Sequence, residues 1–152
     1  MQNGNFECLH YLDYWTAQDV TNTYHMSADG DNSYNSYQFK IVGYPASETT
    51  VASLSQDVPG LTIGASYMLS YALWFNKCDQ SFGFVGVNLN HKALSTFDSC
   101  DDGQAAVGKW LTLTYGPFTA VANSENLKFE FVIGLQDLGG YIRLDNVAIT
   151  PA

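Results

Sequence analysis

The sequence contains little charge, and most of that charge is negative. Charged residues make up 14% of the 152 residues, against roughly 25% in typical soluble domains. The six basic residues are scattered along the chain, and the net charge is −9 at pH 7. Nucleic acids are bound by clustered Lys and Arg, and anionic membranes attract basic segments. We therefore expect neither partner, and a neutral ligand or a divalent cation suits this surface better.

Long apolar runs and helical periodicity are also missing. No run approaches the roughly 18 residues of a membrane-spanning helix, so membrane insertion is not expected. No signal peptide precedes the first motif, which predicts a mature or excised domain, such as one part of a larger secreted protein. The length suits one domain over residues 1–152. No linker, repeat or low-complexity segment interrupts it.

Cysteine is scarce, with three residues in the chain. Cys78 and Cys100 each lie in a polar, loop-like stretch, and we predict a disulfide between them. In the chain-entropy model it would contribute about 3 kcal/mol. Cys8 continues an apolar face and is expected to be a buried free thiol. The Cys and His spacings typical of zinc sites are absent.

Aromatic residues and short alternating segments are abundant. Aromatics reach 14% of the chain, including ten tyrosines. Runs with a period of two residues recur between Gly, Pro, Asn and Asp, which is typical of strands and turns. The predicted strands include Phe6 to Leu9, Thr21 to Met26, and Trp110 to Tyr115, which should end before Gly116-Pro117. In the segment from Ser66 to Asn76, the odd positions are all large and apolar, so they should face the core while the even positions face solvent. Nine or ten such strands predict an all-β, two-sheet sandwich.

The two ends of the chain have related patterns. Asn3-Gly4-Asn5-Phe6-Glu7 stands near the start and Gly140-Tyr141-Ile142-Arg143-Leu144-Asp145-Asn146-Val147 near the end. Each places one carboxylate in an apolar run, and a buried carboxylate needs a donor, a cation or a metal as partner. One hypothesis is that the first and last strands are adjacent and that Glu7 and Asp145 meet. The alternative is that both acids are exposed on edge strands.

Three segments together resemble CenC-like carbohydrate-binding modules. Asn3-Gly4-Asn5-Phe6-Glu7 followed by Trp15 is similar to their opening. Leu54-Ser55-Gln56, with Leu61-Thr62-Ile63-Gly64-Ala65-Ser66-Tyr67-Met68-Leu69-Ser70-Tyr71, is similar to their central pattern. Leu144-Asp145-Asn146-Val147-Ala148-Ile149 resembles their closing strand.

This resemblance implies a galactose-binding-like jelly-roll β-sandwich of a secreted protein. It also implies a structural calcium ion where the two ends meet, with Glu7 and Asp145 as ligands. Further oxygens could come from Asn3, from Asn5 or from the loop that contains Asp31. Two carboxylates with carbonyl and water oxygens suit a cation that takes six to eight oxygen ligands.

The ligand-binding residues of such modules vary, so they are predicted here from chemistry. A sugar ring has an apolar face that lies on an aromatic side chain and a hydroxyl rim that needs planar polar partners. We predict a lectin-like glycan site on an outward sheet face, with Trp74 as its main residue. The other candidates are Asn76, Phe84, Asn88, Arg143 and Tyr14. The competing interpretation of Trp74 is packing beneath a loop.

Two other functions are considered. A structural or protein-interaction domain could share the fold and the calcium ion but lack a sugar site. A glycan-active enzyme would need two carboxylates in a cleft, whereas the acids here fall mostly in turns. The three histidines are unclustered, and no nucleophile motif is present. The sequence therefore predicts a non-catalytic module that binds a neutral polysaccharide or cell-wall glycan.

Overall fold

The computed structural model describes residues 4–7, 13–18, 30–33, 35–40, 49–77, 83–98, 107–134 and 140–152. These residues form nine β-strands and contain no helix. Accordingly, no helix in the described ranges could span a membrane.

Two antiparallel sheets make up the fold. The first five strands in chain order are β1 (Thr16–Gln18), β2 (Tyr37–Lys40), β3 (Thr49–Pro59), β4 (Ser66–Phe75) and β5 (Gly83–Leu89). The remaining four are β6 (Lys92–Asp98), β7 (Leu111–Thr119), β8 (Ser124–Gly134) and β9 (Tyr141–Pro151). One sheet has five strands in the order β1-β3-β8-β5-β6, and the other has four in the order β2-β9-β4-β7. The predicted all-β sandwich is confirmed.

The core lies between the sheets and is rich in aromatic side chains. Leu69, Leu73 and Phe75 on β4 are fully buried, as the alternation predicted. Ala72 was expected to face solvent but is also fully buried, beside a shift in the register between β4 and β9. Phe129 and Phe131 face them from β8, and both are fully buried. Ring contacts link the two layers, with Tyr71 edge-on to Phe129 at 5.3 Å between centroids and Phe39 5.7 Å from Phe131. Because aromatic side chains bury large apolar areas, these contacts stabilise the sandwich.

Two strand predictions were wrong. Phe6 and Glu7 lie outside any strand, and Phe6 has a φ of 55°, which an extended strand cannot accommodate. The segment nevertheless lies beside β9, since the Val147 N–H donates to the Gly4 carbonyl at 2.9 Å. Strand β7 was expected to end before Gly116-Pro117, but it continues to Thr119. As an edge strand it tolerates a proline without a backbone N–H.

Several predictions fall outside the described residues. These are the strand at residues 21–26, the metal ligand Asn3, the buried thiol of Cys8 and the disulfide between Cys78 and Cys100.

Candidate functional site

An aromatic platform lies on the outer face of the four-stranded sheet. It consists of Trp74, Tyr141 and Arg143. Trp74 on β4 is directly opposite Arg143 on β9, and their inward neighbours Leu73, Phe75, Ile142 and Leu144 are buried, so both point outward. The Trp74 and Tyr141 rings stack at 5.3 Å between centroids with 17° between their planes. The Arg143 guanidinium carbon is 4.7 Å from the Trp74 ring centre and 5.2 Å from that of Tyr141.

Polar side chains fix the platform in place. The Arg143 Nε donates to Gln38 Oε1 at 3.1 Å, and Gln38 is opposite Arg143 on the neighbouring strand β2. The Tyr141 N–H donates to Asn76 Oδ1 at 2.8 Å. Asn76 was predicted to contact a ligand, whereas in the structure its amide oxygen anchors the first residue of β9. Hydrogen bonds of this kind preorganise an exposed site.

The predicted sugar-binding residues do not share one face. Phe84 and Asn88 alternate with core residues on β5, so they lie on the outer face of the five-stranded sheet. Tyr14, 61% exposed, lines a pocket with Ser55 and Asp57 of β3 in that same sheet. Only Trp74, Asn76 and Arg143 belong to the four-stranded sheet. The prediction of a single face is therefore corrected to two opposite faces.

The outer face around Asn88 carries a charged network. Lys128 Nζ and Glu130 Oε1 form an ion pair at 2.7 Å, and Asn88 Nδ2 donates to Glu130 Oε2 at 3.2 Å. The Lys128 hydrogen bond, together with its positive charge and the Asn88 bond, holds the pKa of Glu130 below its usual value. Asn88 thus has a protein partner on this face.

An acid cluster forms where the chain ends approach each other. It comprises Glu7, Asp31 and Asp145. Asn35 donates its backbone N–H to Glu7 Oε1 at 2.6 Å, and Ser33 Oγ donates to Asp145 Oδ2 at 2.8 Å. The two end acids therefore meet through the 30–35 segment and do not share a direct hydrogen bond in the structure.

Asp145 is the buried member of the acid cluster, with no exposed surface. Its Oδ2 also accepts the Asp31 N–H at 2.7 Å, and its Oδ1 accepts the Asn146 N–H at 2.7 Å. Burial raises the pKa of Asp145 from 3.8 to about 6, and the Asp31 charge adds to that, while these hydrogen bonds lower it. Within the described ranges, the donors that reach this carboxylate are neutral, and a cation is a chemically suitable further partner.

The donor set can be tested against calcium. An ideal Cβ built on Gly30 would overlap Ser33 Oγ and the Asn35 carbonyl oxygen and would lie 2.8 Å from Asp145 Oδ2. Oxygens of three residues thus converge beside a position without a side chain, and oxygen is the donor that calcium prefers. Across the described ranges, however, no three Asp, Glu, His or Cys side chains form a metal-binding group. Hydroxyl and carbonyl oxygens would therefore have to supply part of any calcium shell.

Because these oxygens lie close to Gly30, the substitution Gly30→Ala should destabilise the protein. The added methyl group would displace Ser33 and Asn35, and we expect the free energy of unfolding to fall by about 1–3 kcal/mol. Gly86→Ala is the matched control, because its nearest neighbour would be Glu130 Cβ at 3.8 Å, and we expect a change within about 0.5 kcal/mol. Urea denaturation measures both. Equal effects of the two substitutions would contradict the crowding at Gly30.

Sequence reasoning missed several residues of both clusters. Tyr141 shares the parity of Arg143 on β9, so the two-residue period could have placed it beside Arg143. Gln38 alternates with two buried aromatics on β2, which marks it as outward-facing. Ser33 and Asn35 gave no such signal, because their positions depend on how a loop approaches β9.

Similarity to solved structures extends over nearly the whole chain. TmCBM61, solved in complex with β-1,4-galactotriose, aligns with a TM-score of 0.74 and 9% identity over 100% of this chain and 97% of its own. A structure described under "CBM4 structure and function" gives 0.57 and 17%, over 99% of each chain. The K3 cleaved adhesin domain of Lys-gingipain from Porphyromonas gingivalis gives 0.64 and 16%, over 98% and 97%.

By sequence, neither a protein-family model nor a curated protein matches the chain. At these identities the structural similarity shows the fold. The chain therefore has the two-sheet β-sandwich fold found in carbohydrate-binding modules.

Proposed function

We propose that this chain is a secreted, non-catalytic carbohydrate-binding module that binds a neutral polysaccharide or cell-wall glycan on the aromatic platform. The observation that carries the proposal is the stacked Trp74–Tyr141 pair with Arg143 beside both rings. The partly exposed, stacked rings supply apolar aromatic surface against which a pyranose ring can pack. The guanidinium supplies planar donors for its hydroxyl rim.

The location of the platform supports this function. Trp74 and Tyr141 are each partly exposed, so a sugar could reach the rings without rearrangement of the core. The ends of β2 and β4 and the start of β9 meet there, which gives the rings a rigid support. Rigid side chains lose little entropy on binding, and this favours affinity from a small contact area.

A structural calcium ion is the second part of the proposal. Glu7 and Asp145 would contribute carboxylate oxygens, and Asp31, Ser33 and Asn35 supply nearby oxygens. The convergence of oxygens beside Gly30 and the burial of the Asp145 carboxylate support it. The ion would neutralise the acid cluster and hold the 30–35 segment between the two chain ends.

A panel of insoluble and soluble polysaccharides tests the binding function. It should include β-1,4-galactan, cellulose, xylan, mixed-linkage β-glucan and, as an anionic comparison, polygalacturonate. Retention on at least one neutral polymer is expected, because the platform matches uncharged sugar faces. Binding to none of the polymers would overturn the proposal, and binding to polygalacturonate alone would overturn the neutral-ligand part.

A protein-interaction domain is the second candidate, and one observation favours it. Ile63 and Val121 are 60% and 72% exposed on two loops that are hydrogen-bonded to each other, through Gly64 N–H to Ala120 O at 2.9 Å. Exposed aliphatic pairs on rigid loops are suited to protein contacts. If no polysaccharide binds, the wild type self-associates in light scattering, and Ile63→Ser with Val121→Ser abolishes that self-association, this candidate replaces the first.

A further inference from the structure

Tyr14 has an unusual backbone and an unusual exposure. Its φ is 71°, in the left-handed region that non-glycine residues rarely adopt. The next residue, Trp15, is buried and stacks on Phe6 at 5.6 Å between ring centroids. This geometry places the Trp15 ring in the core while the Tyr14 ring remains 61% exposed. Strained backbone that persists in a fold is concentrated at functional sites.

A pocket opens beside Tyr14 where β1 begins. Strand β1 pairs with β3 at Ser53, Leu54 and Ser55, and β3 continues to Pro59 beyond the reach of β1. The part of β3 that β1 leaves uncovered borders a cavity of about 270 Å³. Its lining includes Tyr14, Thr16, Ser55, Asp57, Pro59 and Asn126.

The floor of the pocket is polar and fixed. Asn126 Nδ2 donates to Asp57 Oδ1 at 2.8 Å, so an amide and a carboxylate lie side by side. The Asn126 backbone is held by Asn90, whose Oδ1 accepts the Asn126 N–H at 2.8 Å and whose N–H donates to the Asn126 carbonyl at 2.9 Å. Ser55 Oγ is 3.5 Å from the Thr16 carbonyl, longer than the roughly 2.5–3.0 Å of a strong hydroxyl hydrogen bond.

This combination matches one class of ligand. The Tyr14 ring offers an apolar wall, while the Ser55 and Thr16 hydroxyls and the Asp57–Asn126 pair offer both donors and acceptors. No lysine or arginine is among the described residues that line the pocket, and Asp57 is acidic, so an anionic ligand would be repelled. A neutral pyranose has the required apolar face and hydroxyl rim.

We infer that the Tyr14 pocket is a second neutral-sugar site, on the opposite sheet from the aromatic platform. Its lining strands β1, β3 and β8 belong to the five-stranded sheet, whereas Trp74, Tyr141 and Arg143 belong to the four-stranded sheet. The domain is then bivalent and can contact two glycan chains at once, which raises its avidity on a polymer without new contacts. This inference rests on the proposed glycan-binding function.

Amide-resolved NMR separates the two sites. Uniformly ¹⁵N-labelled protein is titrated separately with β-1,4-galactotriose, cellohexaose and xylohexaose. At least one probe should shift two groups of amides, one around Thr16, Ser55 and Asn126 and one around Tyr141 and Arg143. Calorimetry with the same probe should give a stoichiometry of two sugars per chain.

Substitutions at Tyr14 test the ring itself. Tyr14→Gly removes the ring and suits the positive φ, so the melting temperature should not fall while the amide shifts around Ser55 disappear and the stoichiometry drops to one. Tyr14→Phe keeps the ring and should retain binding within about threefold. Ile63→Ala, at another exposed apolar position, should retain two sites.

Each outcome is decisive. Shifts at the platform alone, or two sites retained in Tyr14→Gly, would overturn the inference and leave the proposed function intact. Shifts around Tyr14 alone would support the pocket and overturn the platform as the glycan site. No shift with any of the three probes, together with no retention on the polysaccharide panel, would overturn both proposals.

Discussion

Asp145→Ala is expected to lower the free energy of unfolding by about 3 kcal/mol, the largest stability loss that a single change in the acid cluster should cause. The fully buried carboxylate accepts hydrogen bonds from the Asp31 N–H, the Asn146 N–H and the Ser33 hydroxyl. Its removal leaves three partly buried donors without that acceptor, and each unsatisfied donor costs on the order of 1 kcal/mol or more. Urea denaturation at about pH 4, where the folded carboxyl group retains its full contribution, measures the loss.

The matched control for this loss is Asp57→Ala. Asp57 is an exposed strand carboxylate that accepts a hydrogen bond from Asn126, and its removal should change the free energy of unfolding by about 0.5 kcal/mol or less. If both variants lost a comparable amount of unfolding free energy, the burial of Asp145 would make no particular contribution to stability.

Asp145 should also give the metal-free protein a distinctive pH dependence. Its folded pKa of about 6 exceeds the unfolded value of 3.8, so between these values the folded state binds a proton that the unfolded state has lost. Stability from this group is complete below about pH 4 and decreases as the pH rises through 6, by about 3 kcal/mol in all. In EDTA, the wild type should therefore lose unfolding free energy relative to Asp145→Asn, which cannot titrate, as the pH rises through this range.

Calcium should reverse that trend. A bound cation favours the ionised carboxylate, so in millimolar calcium the wild-type protein should become more stable as the pH rises from 4 to 6. Thermal unfolding in EDTA and in calcium at several pH values measures this. Identical pH profiles in both solutions would contradict the proposed ion. A difference in unfolding free energy between wild type and Asp145→Asn that does not change with pH would contradict the raised pKa.

Most of the fold could be predicted from the sequence because alternation fixes which side of a strand faces the core. The segment from Ser66 to Phe75 shows this well, with Leu69, Leu73 and Phe75 fully buried. The first motif resisted prediction because Phe6 adopts a positive φ. That conformation depends on tertiary contacts such as the hydrogen bond from Val147 to Gly4, and no local pattern encodes it.

The candidate site was predictable only in part, for a geometrical reason. Trp74 and Phe84 each alternate with core residues along their strands, which shows that each faces away from the core. It does not show which sheet each strand joins. Strand β4 pairs with β9 and β7, whereas β5 pairs with β8 and β6. Trp74 and Phe84 therefore lie on opposite faces of the sandwich. The face that each one occupies depends on strand pairing, which is a long-range property of the fold.

The acid cluster was anticipated from the resemblance and from the two buried-looking acids, but its arrangement was not. Ser33 and Asn35 connect Glu7 to Asp145 through hydrogen bonds across more than 25 positions of sequence. Such contacts follow from loop packing against the end of β9. Single residues in a polar loop carry no periodic signal that would reveal them.

Trp74→Ala is expected to weaken glycan binding by about 10- to 100-fold on whichever polymer the wild type binds through the platform. A central aromatic at a binding surface commonly contributes 2 kcal/mol or more, and 1.4 kcal/mol corresponds to a factor of ten. The ring also stacks on Tyr141 and contacts Arg143, so its removal disturbs the other two parts of the platform. Affinity electrophoresis and calorimetry measure the change.

Three comparisons make the Trp74 result specific. Trp74→Phe retains an aromatic surface and should lose less affinity than Trp74→Ala. Phe84→Ala removes an exposed aromatic from the other sheet and should leave affinity at the platform unchanged. Arg143→Lys keeps the charge but replaces the planar guanidinium held by Gln38, so it should weaken binding by about tenfold. If Phe84→Ala impairs binding and Trp74→Ala does not, the main glycan surface lies on the five-stranded sheet, because the two aromatics report on opposite faces of one sandwich.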